Sequence, residues 1–553
     1  MKTLLAMAQV NPHVGDLEGN LQRILRVARQ AKAEGADLLA LPELVLAGYP
    51  PEDLLHKPAF LDRLDATETA LQRGLGEIGI AAVYGGVRRG PAGLYNAGIL
   101  VEGGRETGFA GKWCLPNYGV FDEGRYFQPG EEVRVFPWRG GFLGITICED
   151  IWHATGPMAA LAGAGAHWVI NLNASPYHVG KRLERQKIVA DRIRETALPV
   201  VYVNQVGGQD ELLFDGGSFA MDRTGEVIVR APLFREDLRL LQVTASPAGA
   251  VTFAPVGDPG TEDPPPGSER EIYQALCLGL ADYVCKNGFK GVVLGLSGGI
   301  DSALTAVICA DALGPERVEV VMMPSPFTSS DSLEDAAEGA RRLGIRLSHI
   351  AIDALYATFQ QALAGEFAGA PTGIAAENLQ PRIRATLLMA ISNQKGSLLV
   401  TTGNKSEVSV GYATLYGDMA GGFSVLKDLL KMTVYRIASA RNQWAREAGE
   451  PPPIPQRVLE KAPTAELKHN QKDTDSLPPY PLLDRILHLY VEQDDGLEEI
   501  VAQGVDRETA ARVIRMVDRN EYKRRQACPG VRITRRAFGK DRRYPITNGF
   551  QVA

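Results

Sequence analysis

Two α/β domains in tandem are what this sequence predicts, the second built on a doubly wound parallel sheet. Three observations carry that expectation. The chain has 553 residues, more than one hydrophobic core of ordinary size accommodates. Apolar runs of strand length alternate with amphipathic helical segments along most of it, the pattern of layered α/β folds. Near the middle, residues 254–267 crowd Pro and Gly together without apolar periodicity, which is linker composition. The expected division is therefore 1–253, a linker at 254–268, and 269–553.

In the first half, 4–10 and 38–41 are expected strands flanking a helix at 20–34. Strands come next at 80–87, 97–101 and 142–147, the last ending at Cys148. A helix at 158–165, a strand at 168–171, a helix at 181–197 and a strand at 200–204 continue the alternation. The second half opens with a helix at 269–287 and a strand at 291–294. Helices at 303–313, 333–343 and 375–394 then alternate with strands at 318–323, 347–352 and 398–402. That order suits an open parallel sheet with ligands beyond the carboxyl ends of its strands. Residues 450–481 are Pro-rich and polar; a loop so long in a compact domain suggests a lid. There is no internal repeat.

Composition excludes several classes. Hydrophobic residues make up 45% and charged residues 23%, ordinary for a soluble globular protein. The net charge of −7 does not suit a nucleic-acid binder. The six cysteines include no CxxC pair, which fits a reducing compartment. No apolar run reaches membrane-spanning length and the first residues lack a signal-peptide core, so a cytoplasmic protein is expected. Residues 519–543 hold ten Lys or Arg against Glu521 and Asp541. They read either as a solvated face or as a collector of nucleotide phosphates, and no interleaved aromatics accompany them to favour nucleic acid.

The most informative stretch is Gly295-Leu296-Ser297-Gly298-Gly299-Ile300-Asp301-Ser302. It joins an expected strand to an expected helix, which exposes backbone N–H groups suited to phosphate oxygens. Gly298 and Gly299 permit close approach, Ser297 and Ser302 add hydroxyls, and Asp301 offers a carboxylate to magnesium. The spacing and the missing Lys exclude the Gly-x4-Gly-Lys loop. The hexamer from Ser297 to Ser302 resembles the pyrophosphate-binding loop of the N-type ATP pyrophosphatases, which implies cleavage of ATP between its α- and β-phosphates.

In the first half, Cys148 ends an expected strand, Glu43 stands just past another in Leu41-Pro42-Glu43-Leu44, and Lys112 opens the loop 112–123. With Asn173-Ala174-Ser175-Pro176-Tyr177, this set resembles the nitrilase superfamily of carbon–nitrogen hydrolases across residues 1–250. The resemblance implies an α-β-β-α layered domain and amide hydrolysis through a thioester. It assigns Glu43 as general base, Cys148 as nucleophile and Lys112 as oxyanion partner. It also implies that Tyr118, Ser175 and Lys181 hold glutamine. Cys114, two residues from Lys112, is the rival thiol; its place inside the Lys loop favours Cys148.

The second half adds 377–384, 401–407, 416–422 and 461–467, whose residues resemble the motifs of NAD synthetases. Nearly the whole chain is thus similar to the glutamine-dependent members of that family, with a Rossmann-like second domain. This resemblance implies ATP-dependent amidation of nicotinic acid adenine dinucleotide through an adenylate, with ammonia from glutamine, in a homo-oligomer. Gly295 through Ser302, with Thr402, Lys431 and Thr464, would bind ATP. Asn378, Arg382, Glu407 and Lys523 would contact the dinucleotide, and Asp301 with Glu407 would hold Mg2+. Arg382, Arg384 and Lys431 read equally well as exposed helical cations. Leu415 stands where ammonia-dependent relatives carry a Lys, which leaves that substrate contact unfilled. Making and using ammonia in separate domains suggests an internal tunnel. Other carboxylate-amidating pyrophosphatases, or an amidase with a nucleotide-sensing domain, are the alternatives. A tRNA thiolase lacks support without CxxC, an asparagine synthetase without a Cys at position 2, and a GMP synthetase shares only the ATP loop.

Overall fold

Alternation along the first strand sets the layering of the amino-terminal half. In β1 (Lys2–Gln9), Leu5 and Met7 face one way and Ala6 and Ala8 the other, and both faces are buried. A computed structural model describes residues 2–246, 249–260, 263–469 and 471–550. Thr261 and Glu262 of the expected linker, and Asn470 of the 450–481 stretch, lie outside the described residues. The chain divides into two units, Met1–Pro266 and Gly267–Ala553.

In the first unit, β1 pairs in parallel with β2 (Leu38–Ala40), and β2 with β3 (Ala81–Gly90). Strands β4 (Gly93–Glu102) and β5 (Arg105–Gly111) continue antiparallel. A second sheet contains β6 (Val135–Trp138), β7 (Gly141–Ile147), β8 (Trp168–Asn173) and β9 (Val200–Asn204). Strands β10 (Val206–Gln209) and β11 (Leu212–Asp215) form a separate hairpin, while β12 (Phe219–Met221) and β13 (Val227–Arg230) join the second sheet. The chain then returns to the first sheet with β14 (Asp237–Ala245) and β15 (Val251–Val256). The orders are β15-β14-β1-β2-β3-β4-β5 and β13-β12-β9-β8-β7-β6.

Leu5, Met7 and Val83 of one sheet meet Ile145, Ile170 and Val201 of the other in a shared core. Outside the first sheet, α1 (Leu17–Ala33) and α2 (Pro58–Ile78) bury Ile24 and Leu71. Outside the second, α3 (Pro157–Gly163) and α4 (Lys181–Thr196) bury Leu161 and Ile193. The result is an α-β-β-α stack. Helix α2 has no counterpart among the expected elements, because Thr67 and Glu68 interrupt its buried stripe. Glu68 is tolerated there by Arg88 at 2.6 Å and by the Tyr84 hydroxyl at 2.7 Å. Residues 254–256, expected in the linker, instead finish β15. Pro255 is accommodated because β15 is an edge strand.

The second unit begins with α5 (Glu269–Lys286), and then β16 (Val292–Gly295) leads into α6 (Ile300–Leu313). Next come β17 (Val318–Met322), α7 (Ser330–Leu343), β18 (Arg346–His349), α8 (Asp353–Leu363) and α9 (Gly373–Lys395). The sheet is completed by β19 (Leu398–Thr401) and β20 (Phe423–Ser424), with α10 (Lys405–Val410) between them and α11 (Lys431–Glu447) after. All pairings are parallel in the order β18-β17-β16-β19-β20. The winding reverses between β16 and β19, so the loops after these two strands border one crevice at their carboxyl ends.

Residues 450–481 are not the structureless loop their composition suggests. They contain helix α12 (Gln456–Glu460) and a 3-10 turn at Asp473–Asp475. Side chains supply what periodicity does not: Asn442 bonds both the carbonyl and the N–H of buried Ile454, at 2.7 and 3.0 Å. Three cations of the basic segment, Arg524, Arg532 and Arg542, are also internal. Arg524 is buried and donates to the Ser409 carbonyl at 2.6 Å, and Arg542 is buried with its guanidinium 3.6 Å from the Tyr544 ring centre. Carbonyls, an aromatic face and the carboxylates of Glu521 and Asp518 thus take charges that the sequence left to solvent or phosphate. No helix among the described residues is long and apolar enough to cross a membrane.

Candidate active sites

Three strand ends of the first unit converge. Glu43 lies beyond β2, Lys112 directly follows β5, and Cys148 follows β7 and opens a 3-10 turn, Cys148–Trp152. Gly85 of β3 admits the Glu43 backbone, since a Cβ there would come within 2.4 Å of the Glu43 Cα. Glu43 and Lys112 are fully buried, and Cys148 nearly so. Lys112 Nζ donates to Glu43 Oε1 at 2.8 Å and to Glu123 Oε1 at 2.7 Å. Glu43 also accepts from Asn96 Nδ2 at 2.6 Å and from the Ala174 N–H at 2.9 Å. Glu123 accepts from the Tyr49 hydroxyl at 2.7 Å. Burial opposes the Lys112 charge, but Glu123 and then Glu43 outweigh it and hold the ammonium well above the usual amine range.

Ile147 pairs with Leu172 on the neighbouring parallel strand. The end of β7 that leads into Cys148 therefore lies two residues from Ala174, whose N–H anchors Glu43. Burial, and after it the Glu43 charge, push the Cys148 thiol well up, with Lys112 pulling the other way. Cys148 has φ +44°, a strained value of the kind found at functional corners. Asp150 fixes that corner: Oδ2 accepts from the Ile147 N–H and Oδ1 from the N–H groups of Trp113 and Cys114, all at 2.9 Å. The same carboxylate so ties the Cys148 turn to the Lys112 loop. The Cys114 thiol is pushed up to about 11 by burial and Asp150.

The residues implied for glutamine surround this corner in different ways. Tyr118 is 58% exposed, and its hydroxyl reaches both oxygens of Glu149 at 2.9 Å. Lys181, at the start of α4, places Nζ 3.8 Å from the Trp152 ring centre and 3.5 Å from Glu184. Burial and Arg185 lower it to about 8. Ser175 is buried, and its hydroxyl accepts from Arg185 Nε at 3.1 Å. Arg185 in turn holds both oxygens of Asp215 at 2.7 and 2.8 Å. A thiol, a carboxylate and an ammonium buried at neighbouring strand ends are the parts needed to form and hydrolyse a thioester.

In the second unit, Leu296, Ser297, Gly298 and Gly299 make the turn between β16 and α6. Gly298 has φ +79°, and a Cβ on it would lie 2.3 Å from the Ser332 carbonyl oxygen. Ser297 and Ser302 hydroxyls are 3.0 Å apart, and Ser302 also donates to the Gly299 carbonyl at 3.0 Å. From the first turn of α6, Asp301 Oδ1 accepts from Asn404 Nδ2 at 2.8 Å, and Oδ2 meets Lys431 Nζ at 2.5 Å. Lys431 Nζ also bonds Glu407 Oε1 at 2.9 Å. Lys431 is thus buried in the crevice rather than exposed on its helix; Asp301 and Glu407 outweigh its burial and raise its affinity for the proton. Burial pushes Glu407 up to about 7 despite Lys431. Asp301 and Glu407 are hard oxygen donors of the kind magnesium takes, and the ammonium lies between them. Among the described residues no group of three or more His, Cys, Asp or Glu is placed for a metal. A cation at this pair would accordingly need substrate oxygens as well.

Thr402 directly follows β19 on the same side, and Thr464 donates to the Gln471 carbonyl at 2.6 Å. Asn378, Arg382 and Lys523 come together on one loop, 411–415. The Thr414 hydroxyl donates to Asn378 Oδ1 at 2.9 Å, Arg382 Nε to the Leu415 carbonyl at 3.1 Å, and Lys523 Nζ to the Gly411 and Ala413 carbonyls at 2.8 and 2.9 Å. Arg384 is half-buried and donates to the Met323 carbonyl at 3.0 Å.

A family model described as carbon-nitrogen hydrolase matches residues 4–252, and one described as NAD synthase matches residues 272–527. The glutamine-dependent NAD(+) synthetase of Acinetobacter baylyi is 46% identical, covering 99% of this chain and 98% of the relative. That of Thermotoga maritima is 45% identical over the full length of both. The chain belongs to the glutamine-dependent NAD(+) synthetases. The solved structure of the Acinetobacter baumannii synthetase in complex with ADP superposes with a TM-score of 0.77 at 44% identity, covering both chains completely.

In this synthetase, several polar residues of both sites carry no role in the sequence reading. Glu123 and Tyr49 complete the surroundings of Lys112, Asp150 braces the Cys148 corner, and Asn404 orients Asp301. Glu123 and Asn404 lie inside stretches already singled out for Lys112 and Glu407, which was the available signal. Which member of each stretch turns inward depends on loop geometry.

Proposed function

We propose that this NAD(+) synthetase makes ammonia at the first site and consumes it at the second. Glu43 takes the Cys148 proton as Sγ attacks the side-chain amide carbon of glutamine. The oxyanion that forms is met by the Lys112 ammonium, and the proton held by Glu43 passes to the departing ammonia. Glu43 then removes a proton from the water that cleaves the thioester, which yields glutamate and restores the thiol. Lys181 is suited to the α-carboxylate of glutamine, and the Tyr118–Glu149 pair to its α-amino group.

At the second site, Ser297 through Ser302 receive the phosphates of ATP, with Thr402, Lys431 and Thr464 as further contacts. The nicotinate carboxylate of nicotinic acid adenine dinucleotide, held near Asn378, Arg382 and Lys523, attacks the α-phosphorus and pyrophosphate leaves. Ammonia displaces AMP from the resulting acyl-adenylate, giving the amide of NAD. Asp301 and Glu407 would hold Mg2+, which when bound screens charge on the departing pyrophosphate.

The observation that carries the first half of this reading is the buried Lys112 ammonium shared by Glu43 and Glu123 beside the Cys148 corner. Cys148→Ala tests it. NAD formation by this variant should be lost with glutamine and retained with ammonium. Retained glutamine-dependent turnover would remove Cys148 as nucleophile, and loss with both nitrogen donors would show that the change acts beyond the first site.

A further inference from the structure

A second polar cluster lies against the phosphate loop of the second unit. Glu466 Oε1 accepts from the Ser329 hydroxyl at 2.9 Å and from the Ser332 hydroxyl at 2.8 Å. Lys461 Nζ reaches the same oxygen at 3.0 Å and also contacts the Ser332 hydroxyl. Arg384 adds a second positive charge that acts on Glu466. One carboxylate oxygen thus occupies a point where two hydroxyls and an ammonium converge, the donor set by which proteins hold a phosphate oxygen. Ser332 belongs to the turn whose carbonyl a Cβ on Gly298 would strike at 2.3 Å, so cluster and phosphate loop are in contact. Glu466 takes φ +48°, and its N–H is bonded by Thr464 Oγ1 at 3.3 Å. A non-glycine residue in the left-handed region persists where its surroundings impose it, and such positions collect at ligand clamps.

We propose that Lys461, Ser329 and Ser332 form an additional subsite for the outer phosphates of ATP and for the pyrophosphate released from it, with Glu466 as the resident anion that gives way to them. The inference rests on residues 295–302 being the pyrophosphate loop. Glu466 neutralises Lys461 while the subsite holds no phosphate, and competes with pyrophosphate for the same donors. Its charge therefore weakens pyrophosphate binding and favours release of that product. Lys461 works in the opposite direction.

Calorimetric titration of the full chain with inorganic pyrophosphate in the presence of magnesium tests this. Glu466→Gln keeps size and an acceptor oxygen but removes the competing charge, so pyrophosphate should bind about tenfold more tightly. Lys461→Met should bind it about tenfold more weakly, with melting temperatures of both variants reporting that they fold. Glu466→Gln binding pyrophosphate no more tightly than wild type would overturn the proposal, because a purely structural Glu466 would loosen the site when lost. Gly298→Ala distinguishes this from the loop assignment. Pyrophosphate binding that survives Gly298→Ala removes the loop assignment. Binding lost in Gly298→Ala but unchanged in Glu466→Gln removes the subsite alone.

Discussion

Glu123→Gln is the most discriminating change in the glutaminase half. The exchange preserves an oxygen for the Lys112 ammonium and the Tyr49 hydroxyl, both 2.7 Å away, while deleting one negative charge. The Lys112 ammonium then bonds a neutral amide oxygen in place of a carboxylate, which weakens that contact by about 1–2 kcal/mol. Lys112 retains Glu43 at 2.8 Å and stays charged, but is drawn toward it and away from the forming oxyanion. Losing about 1–2 kcal/mol of transition-state stabilisation lowers kcat/KM for glutamine about 5- to 30-fold. Burial pushes the Glu123 carboxyl above its usual range despite Lys112, so removing its charge relieves a desolvation cost that offsets the weakened contact with Lys112. Folding stability should consequently change by no more than about 1 kcal/mol. The assay is NAD formation with glutamine and with ammonium in parallel, alongside thermal unfolding. Unchanged glutamine kinetics would refute a role for Glu123 in positioning Lys112. An equal fall with ammonium would show a general structural defect instead.

The remaining predictions concern one residue in each site. Lys181 is lowered to about 8 from 10.5 by burial and Arg185, so its charge is present below about pH 8 and lost above. If it binds the glutamine carboxylate, kcat/KM for glutamine should fall about tenfold per pH unit above pH 8, with no such limb in the ammonium reaction at fixed free ammonia. A flat profile to pH 9.5 or so would remove that role. For stability, the unfolded chain binds more protons between about pH 8 and 10.5, so the contribution of Lys181 rises with pH in that window. In the second unit, Gly298→Ala sets a Cβ 2.3 Å from a backbone oxygen at φ +79°. NAD formation should drop at least about 100-fold with either nitrogen donor, and a wild-type KM for ATP would contradict the close packing claimed for this turn.

Much of the architecture is written locally. The alternation of Leu5 and Met7 against Ala6 and Ala8, the helical stripe of α1, and the strand–turn–helix around Gly298 are each visible within about one window of sequence. They suffice for two α/β units, for the parallel sheet of the second, and for the family resemblance. The failures have the opposite character. Helix α2 buries Glu68, whose partner Arg88 is on a strand 20 residues away. Lys431 reads equally well as an ATP contact and as an exposed helical cation until it meets Asp301, 130 residues earlier, and Arg524 and Arg542 find internal partners through the folding of the carboxyl-terminal segment. Periodicity reports which side of an element is apolar; it carries no information about which distant polar group will neutralise a buried charge. The Lys112–Glu43 contact spans 69 residues, and it exists because β2, β3, β4 and β5 are neighbours in one sheet. Strand order and register, set by long-range pairing, decided which carboxylates share that ammonium, and local pattern could not.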